Sequence, residues 1–435
     1  MLDVLRSYLR YTSWPIIAAM LALMAVGVSA IRVAEQADTS LRDFSSSQIV
    51  FACLGASAFV LATVVPYQRL GKWSYALFGL TLLMLMALIV SKAAGGLPGL
   101  MPVRDAYRWI DLGYYVKVQP SEIAKVTYVL AMAWYLRYGD HYRRLRGLIL
   151  PLAMTLVPLA LILKEPDLGT SLLLLPTLYF MLFMAGAKLR HLLGIIVLAT
   201  VVVFMPVPKK LKPSMNPVEF ETRKALAYWC YSSGDGSEVA LTPAPLAGME
   251  WHQIKRIHGW LRQSDPAVAG NRGYQLHQSK IVLGSGCWAG RGDWKTGPSF
   301  FRMLPDDHTD FIFSVIGGQW GFLGCLALIG LYGVIFLFGL EIAVVTYDPF
   351  GRLLSAGVLA LLFAQICINM GMTMGLMPVT GMTLPLVSYG GSSLVVNCIA
   401  LGLLVNVGQH RPLLLSRRPF EHGQRRDRRP GVAVR

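Results

Sequence analysis

Residues 304–321 read LPDDHTDFIFSVIGGQWG and set Asp306, Asp307, His308 and Asp310 against the start of an apolar run. No charged residue follows Asp310 until Glu341, and a stretch of that length crosses a hydrocarbon core of roughly 30 Å. Thr309 can cap the helix, and Asp310 stands in the first turn, where the helix dipole favours a carboxylate. Ser314, Gly317, Gly321 and Gly324 follow Asp310 at steps of three or four, a small-residue stripe that lets another element approach closely. A carboxylate at such a packed junction is partly desolvated and suited to act as a general base. Asp306 and Asp307, ahead of the helix, read as solvated flank.

The rest of the chain repeats this apolar character. Of 435 residues, 54% are hydrophobic and 15% charged, with mean hydropathy +0.51, where a soluble protein has about a quarter charged. Ten spans are expected, at 15–32, 47–65, 74–92, 120–137, 149–163, 169–186, 190–206, 310–340, 352–376 and 385–408. The fold class is therefore an all-α polytopic membrane protein, without the period-two alternation of an outer-membrane barrel. Its parts are seven spans in 1–206, a large outside loop at 207–309, three spans in 310–408 and a basic tail at 409–435.

The net charge of +16 follows the positive-inside rule and needs no nucleic acid. Arg69, Lys72, Arg137, Arg143, Arg144, Arg146, Lys188, Arg190 and the arginines of the tail fall on one side if both termini are cytoplasmic. A basic flank, an apolar core and Val28-Ser29-Ala30 imitate a signal peptide, but a retained first span is the reading adopted. The cysteines have no metal-ligand spacing; Cys230 and Cys287 share the loop, and a bridge between them stays open. In the loop, PVPKKLKPSMNP and TPAPLAG predict irregular structure, whereas Ile254, Ile257, Trp260 and Leu261 predict an amphipathic helix on the outer membrane surface.

Ionisable groups near membrane depth cluster in three further places, where burial demands pairing or function. In RWIDLGYYVKVQPSEIAK (108–125), Pro120 suits a first helical turn and Glu122 and Lys125 share one face; they read as an entry salt bridge or as a pair lining an aqueous cavity. In KEPDLGTS (164–171), Asp167 can cap the next helix, yet Lys164, Glu165 and Asp167 together exceed what a cap needs. In GLMPVTGMTLPLVSYGGSS (375–393), the prolines and glycines cannot form one regular helix, so the stretch reads as a re-entrant loop or broken helix. Phosphate-loop, HExxH, paired CxxC and GxSxG motifs are missing from the chain.

Together with GYQLHQSKIVLGSG (273–286), these motifs resemble the SEDS family (shape, elongation, division and sporulation), polytopic peptidoglycan glycosyltransferases that polymerise lipid II. Within it, NMGMTMGLMPVTG and GYQLHQSKI are more similar to the RodA-type elongation branch than to the FtsW type. The resemblance implies that Asp310 is the essential acid and that Trp109 is the functional tryptophan of the first outside loop. It implies polar cavity residues at Glu122, Lys125 and Asp167, a signature at Ser388, Tyr389, Gly390 and Gly391, and a substrate contact at Gln275. Arg108, Lys125 and Lys164 are candidate cations for a leaving diphosphate, and a divalent ion (magnesium or manganese) is compatible with that task. The implied partners are lipid II, the nascent lipid-linked glycan and a class B penicillin-binding protein, in the bacterial cytoplasmic membrane. Where the family commonly has two glutamates, this chain has Gly318-Gln319, and residues at about 213–250 look inserted. A flippase of lipid-linked precursor and a scaffold for a transpeptidase are the competing readings.

Overall fold

The computed structural model describes residues 12–37, 44–94, 108–111, 117–139, 141–165, 167–211, 216–232, 238–243, 251–265, 268, 273–291, 304 and 308–410. Asp306, Asp307, Pro166 and the basic tail lie outside the described residues. Three long helices open the chain: α1 (Trp14–Ala37), α2 (Phe44–Val64) and α3 (Tyr67–Ala93). After a short hairpin, β1 (Ile110–Asp111) with β2 (Lys117–Val118), come α4 (Pro120–Leu136), α5 (Ile149–Lys164), α6 (Leu168–Ala185) and α7 (Leu189–Phe204). The last three are α11 (Ile312–Val345), α12 (Pro349–Thr373) and α13 (Gly391–Gln409).

All ten expected spans contain a helix, and eight are long and apolar enough to cross a membrane, α5 only together with the turn before it (Leu145–Lys164). The other two, α4 and α7, have 17 and 16 residues, about 25 Å of helix, slightly less than a hydrocarbon core. Burial ranks the helices. The spanning windows of α12 and α13 are 78% buried, against 17% for α2. Fourteen of the α4 residues are also buried. Peripheral helices present Leu61, Leu83, Leu198 and Leu337 outward, the inverse of a water-soluble surface. Asn406 near the end of α13 fastens the α2–α3 corner, its Nδ2 donating to the carbonyls of Ala62, Thr63 and Val65 while its Oδ1 accepts from the Tyr67 amide.

The loop differs from expectation in its first half. Its first half holds an antiparallel sheet of order β3-β5-β4, from β3 (Pro206–Leu211), β4 (Trp229–Ser232) and β5 (Glu238–Pro243), with α8 (Pro217–Ala225) between β3 and β4. Pro206 and Pro208, two of the prolines that suggested irregular structure, sit on the edge strand β3, where a missing N–H need break no ladder. Its second half contains α9 (Trp251–Leu261) and α10 (Tyr274–Ser285), and these dock on protein. Trp260 Nε1 and Gln263 Nε2 donate to the Gly375 carbonyl, and Ile254 is buried. Cys230 and Cys287 are free thiols, with no bridge between them.

The small-residue stripe of α11 is covered by α10. Ser314 Oγ lies 2.7 Å from Ser279 Oγ, and Leu283 fills the space over Gly317. Below this, α11 is broken at Gly321 (φ 65°, ψ −161°). The segment after α10 runs into the break. The Phe322 and Leu323 amides donate to the Cys287 and Trp288 carbonyls, and the Arg291 amide donates to the Gly318 carbonyl.

Candidate active site

The irregular segment between α12 and α13 lies at the centre of the site, held by polar side chains from four helices. Its carbonyls would be unpaired at membrane depth without them. Gln365 Nε2 donates to the Thr383 carbonyl, Asn369 Nδ2 to the Met382 carbonyl, Tyr332 OH to the Pro385 carbonyl and Gln48 Nε2 to the Ser388 carbonyl. Ser388 Oγ accepts from the Leu384 amide, closing the turn, and Thr383 Oγ1 pairs with Ser393 Oγ. Gly390 precedes the first turn of α13, its carbonyl accepting from the Leu394 amide.

Asp310 stands against this segment. A side chain on Gly381 (φ +72°) would begin 3.3 Å from Asp310 Oδ2 and 3.2 Å from Arg256 Nη1. Carboxylate and guanidinium therefore converge over a bare Cα that only glycine provides. Asn369 Nδ2 also donates to the Asp310 carbonyl at 3.1 Å, tying the acid to α12. Two residues upstream, the His308 ring stacks on Phe44 (centroids 4.6 Å) and meets the edge of Tyr389 at 5.8 Å. The Tyr389 amide donates to the His308 carbonyl, so the SYGG and HTD motifs are joined directly.

Two further groups abut the same segment. Lys125 Nζ lies 2.8 Å from Glu122 Oε2, close enough for charge pairing though off a hydrogen-bond direction, and donates to Gln365 Oε1 at 3.4 Å. Because Gln365 also holds Thr383, this buried pair is wired to the segment. On another side, Gly169 of α6 packs against Met382 and the Thr380 carbonyl. Asp167 caps α6, Oδ1 accepting from the Thr170 amide, while Oδ2 accepts from Thr170 Oγ1, Gln119 Nε2 and Ser121 Oγ. Its carboxylate is fully engaged in joining α6 to α4. Beside it, Glu165 is buried, and Arg108 Nε donates to the Glu165 backbone carbonyl at 2.8 Å.

Of the sequence candidates, Asp310, Glu122, Lys125, Asp167, Ser388, Tyr389 and Gly390 thus share one neighbourhood around residues 380–390. Arg108 and half-buried Trp109 lead into β1 at its rim. Lys164 is exposed at the end of α5. Gln275 lines a small cleft with Arg256, Trp260, Leu276 and Val379, on the Arg256 side of Gly381. Sequence reasoning missed Arg256, Gln365 and Asn369. The last two are a polar pair at i, i+4 in an apolar helix, a signal that intramembrane polarity gives in advance. Among the described residues no three His, Cys, Asp or Glu side chains converge on a metal site.

The family pattern described as "Cell cycle protein" and named FTSW_RODA_SPOVE matches residues 9–216 and 225–412, with 217–224 unmatched between the two stretches. The chain is 31% identical to the peptidoglycan glycosyltransferase RodA of Treponema pallidum, over 90% of this chain and 96% of that one. It is 32% identical to the peptidoglycan glycosyltransferase MrdB of Escherichia coli K12, over 91% and 93%. Among solved structures, a chain of a peptidoglycan synthase complex that coordinates polymerization and crosslinking superposes with TM-score 0.69 at 27% identity, covering 93% of this chain and 99% of that one. The chain belongs to the cell cycle protein family of FtsW, RodA and SpoVE.

Proposed function

We propose that the chain is a peptidoglycan glycosyltransferase of the elongation type, polymerising lipid II in the bacterial cytoplasmic membrane with both termini inside. The observation that carries the chemistry is the Asp310 carboxylate held with Arg256 over Gly381. Asp310 takes the proton from the acceptor sugar's 4-hydroxyl. The freed oxygen pair attacks the anomeric carbon of the lipid-linked strand, and the bond from that carbon to the diphosphate breaks, its electrons leaving with undecaprenyl diphosphate. A leaving diphosphate needs cations more than an acid, and Arg108 and Arg256 supply them. A magnesium or manganese ion, if used, would take ligands from Asp310 and the substrate's own phosphates.

The partner is a class B penicillin-binding protein, in keeping with the likeness to a synthase complex. The test is polymerisation of lipid II by the purified chain with that partner. Asp310→Asn should lower the rate by about 10²–10⁴-fold, the usual range for a lost general base, while the protein stays monodisperse. Near-normal polymerisation by this variant rules out the base assignment. The buried Glu122–Lys125 pair is the feature a transporter reading would use, and glycan made in detergent, with no gradient, decides against it.

A further inference from the structure

Glu165 is used by no step above, and among the described acids its surroundings stand apart. It is 2% exposed, in the turn between α5 and α6, on the same side of the bundle as the Asp167 cap and the 380–382 backbone. Among the described residues, neither carboxyl oxygen has a hydrogen-bond partner, whereas the neighbouring Asp167 carboxylate has four. Its backbone carbonyl anchors Arg108, bringing a guanidinium to the same turn. A buried acid without a hydrogen-bond partner is a group that a ligand's polar atoms can satisfy.

The charged groups acting on Glu165 are Asp167, on its own turn, and Arg108, from the strand lead-in. Burial pushes its carboxyl up to about 9, the Asp167 charge adds to the rise, and Arg108 opposes it. At neutral pH the group is therefore an uncharged O–H donor beside a cation. We propose that Glu165 and Arg108 form the subsite for the phosphate oxygens of the polyprenyl diphosphate, Glu165 donating its proton in a hydrogen bond while Arg108 supplies charge. This rests on the glycosyltransferase reading and deepens it. An ionised Glu165 would repel the same ligand, so the subsite works only while the acid is protonated.

The experiment measures KM for lipid II and inhibition by undecaprenyl diphosphate from pH 6.5 to 10.5, with the full chain and its partner in detergent. In the wild type, KM should climb as pH passes about 9, where the donor is lost. Glu165→Gln, an uncharged donor of the same shape, should bind within a few-fold of wild type at neutral pH and lack that climb. Glu165→Ala should raise KM about tenfold at neutral pH, the usual loss for a hydrogen bond to a charged group, with kcat less affected, and it too should lack the alkaline climb. If Glu165→Gln shows the same alkaline climb as wild type, the assignment is wrong, and that comparison stands even if Glu165→Ala does not fold. A wild-type chain that makes no glycan at any pH overturns the glycosyltransferase reading itself. Glycan formation with unshifted variants overturns only the role of Glu165.

Discussion

Lys125 shows how this site treats charge. A fully desolvated ammonium is costly, and it is kept here by Glu122 at 2.8 Å and Gln365 at 3.4 Å. Lys125→Met alone leaves a buried carboxylate unpaired and should lower stability by about 3–5 kcal/mol. The double variant Glu122→Gln with Lys125→Met should recover much of that loss. Thermal melts of the two singles and the double, read as a cycle, check the coupling. Glu165 makes the opposite prediction in pH. Its folded pKa, about 9, lies above the value of 4.5 for a free glutamate, so its contribution to stability is full below 4.5 and is lost as pH rises toward 9. Wild type should therefore lose stability relative to Glu165→Gln between pH 5 and 9, by up to about 1.4 kcal/mol per pH unit. Parallel melting curves across that range would exclude a raised carboxyl.

At the scale of elements, the 286–291 segment lies against the backbone of α11 at its break, beside Gly318-Gln319-Trp320. A Cβ on Gly290 would stand 1.9 Å from the Gln319 carbonyl oxygen, and one on Gly321 would stand 2.3 Å from the Gly290 amide nitrogen. Both glycines also have positive φ, +82° and +65°. Gly321→Ala should cost about 1–3 kcal/mol in backbone strain and more in contact. It should release the segment after α10, and hydrogen exchange at Phe322 and Leu323 is the direct readout. Unchanged protection at those amides means the docking is dispensable.

At the scale of the whole molecule, α4, α12 and α13 form a buried centre, and the loop helices α9 and α10 close over the outer end of it. The proposed orientation sets this end outside and the basic segments on the other side. Cys287, exposed in the loop, should react with a membrane-impermeant maleimide on intact spheroplasts, whereas buried Cys325 and Cys398 should not. Labelling of Cys287 only after lysis reverses the topology. Composition and apolar run length were enough to read the ten helices, because a hydrocarbon solvent imposes length and apolarity on each segment separately. The pairing of Glu122 with Lys125 and the Asp167 cap were legible for a similar reason, since their spacing of three residues is a local property of helices. What convergence adds was not legible. Arg256 comes to Gly381 on a loop helix more than fifty residues upstream of Asp310, and Asn369 and Gln365 meet the 380–390 segment only because α12 packs beside it. The sequence by itself determined the helices, the acid at the mouth of α11 and the irregular stretch before α13. The tertiary structure alone decided which donors satisfy that stretch, which cation faces Asp310 and why Glu165 has no partner, because unpaired polar groups in a dry interior are settled by neighbours distant in the chain.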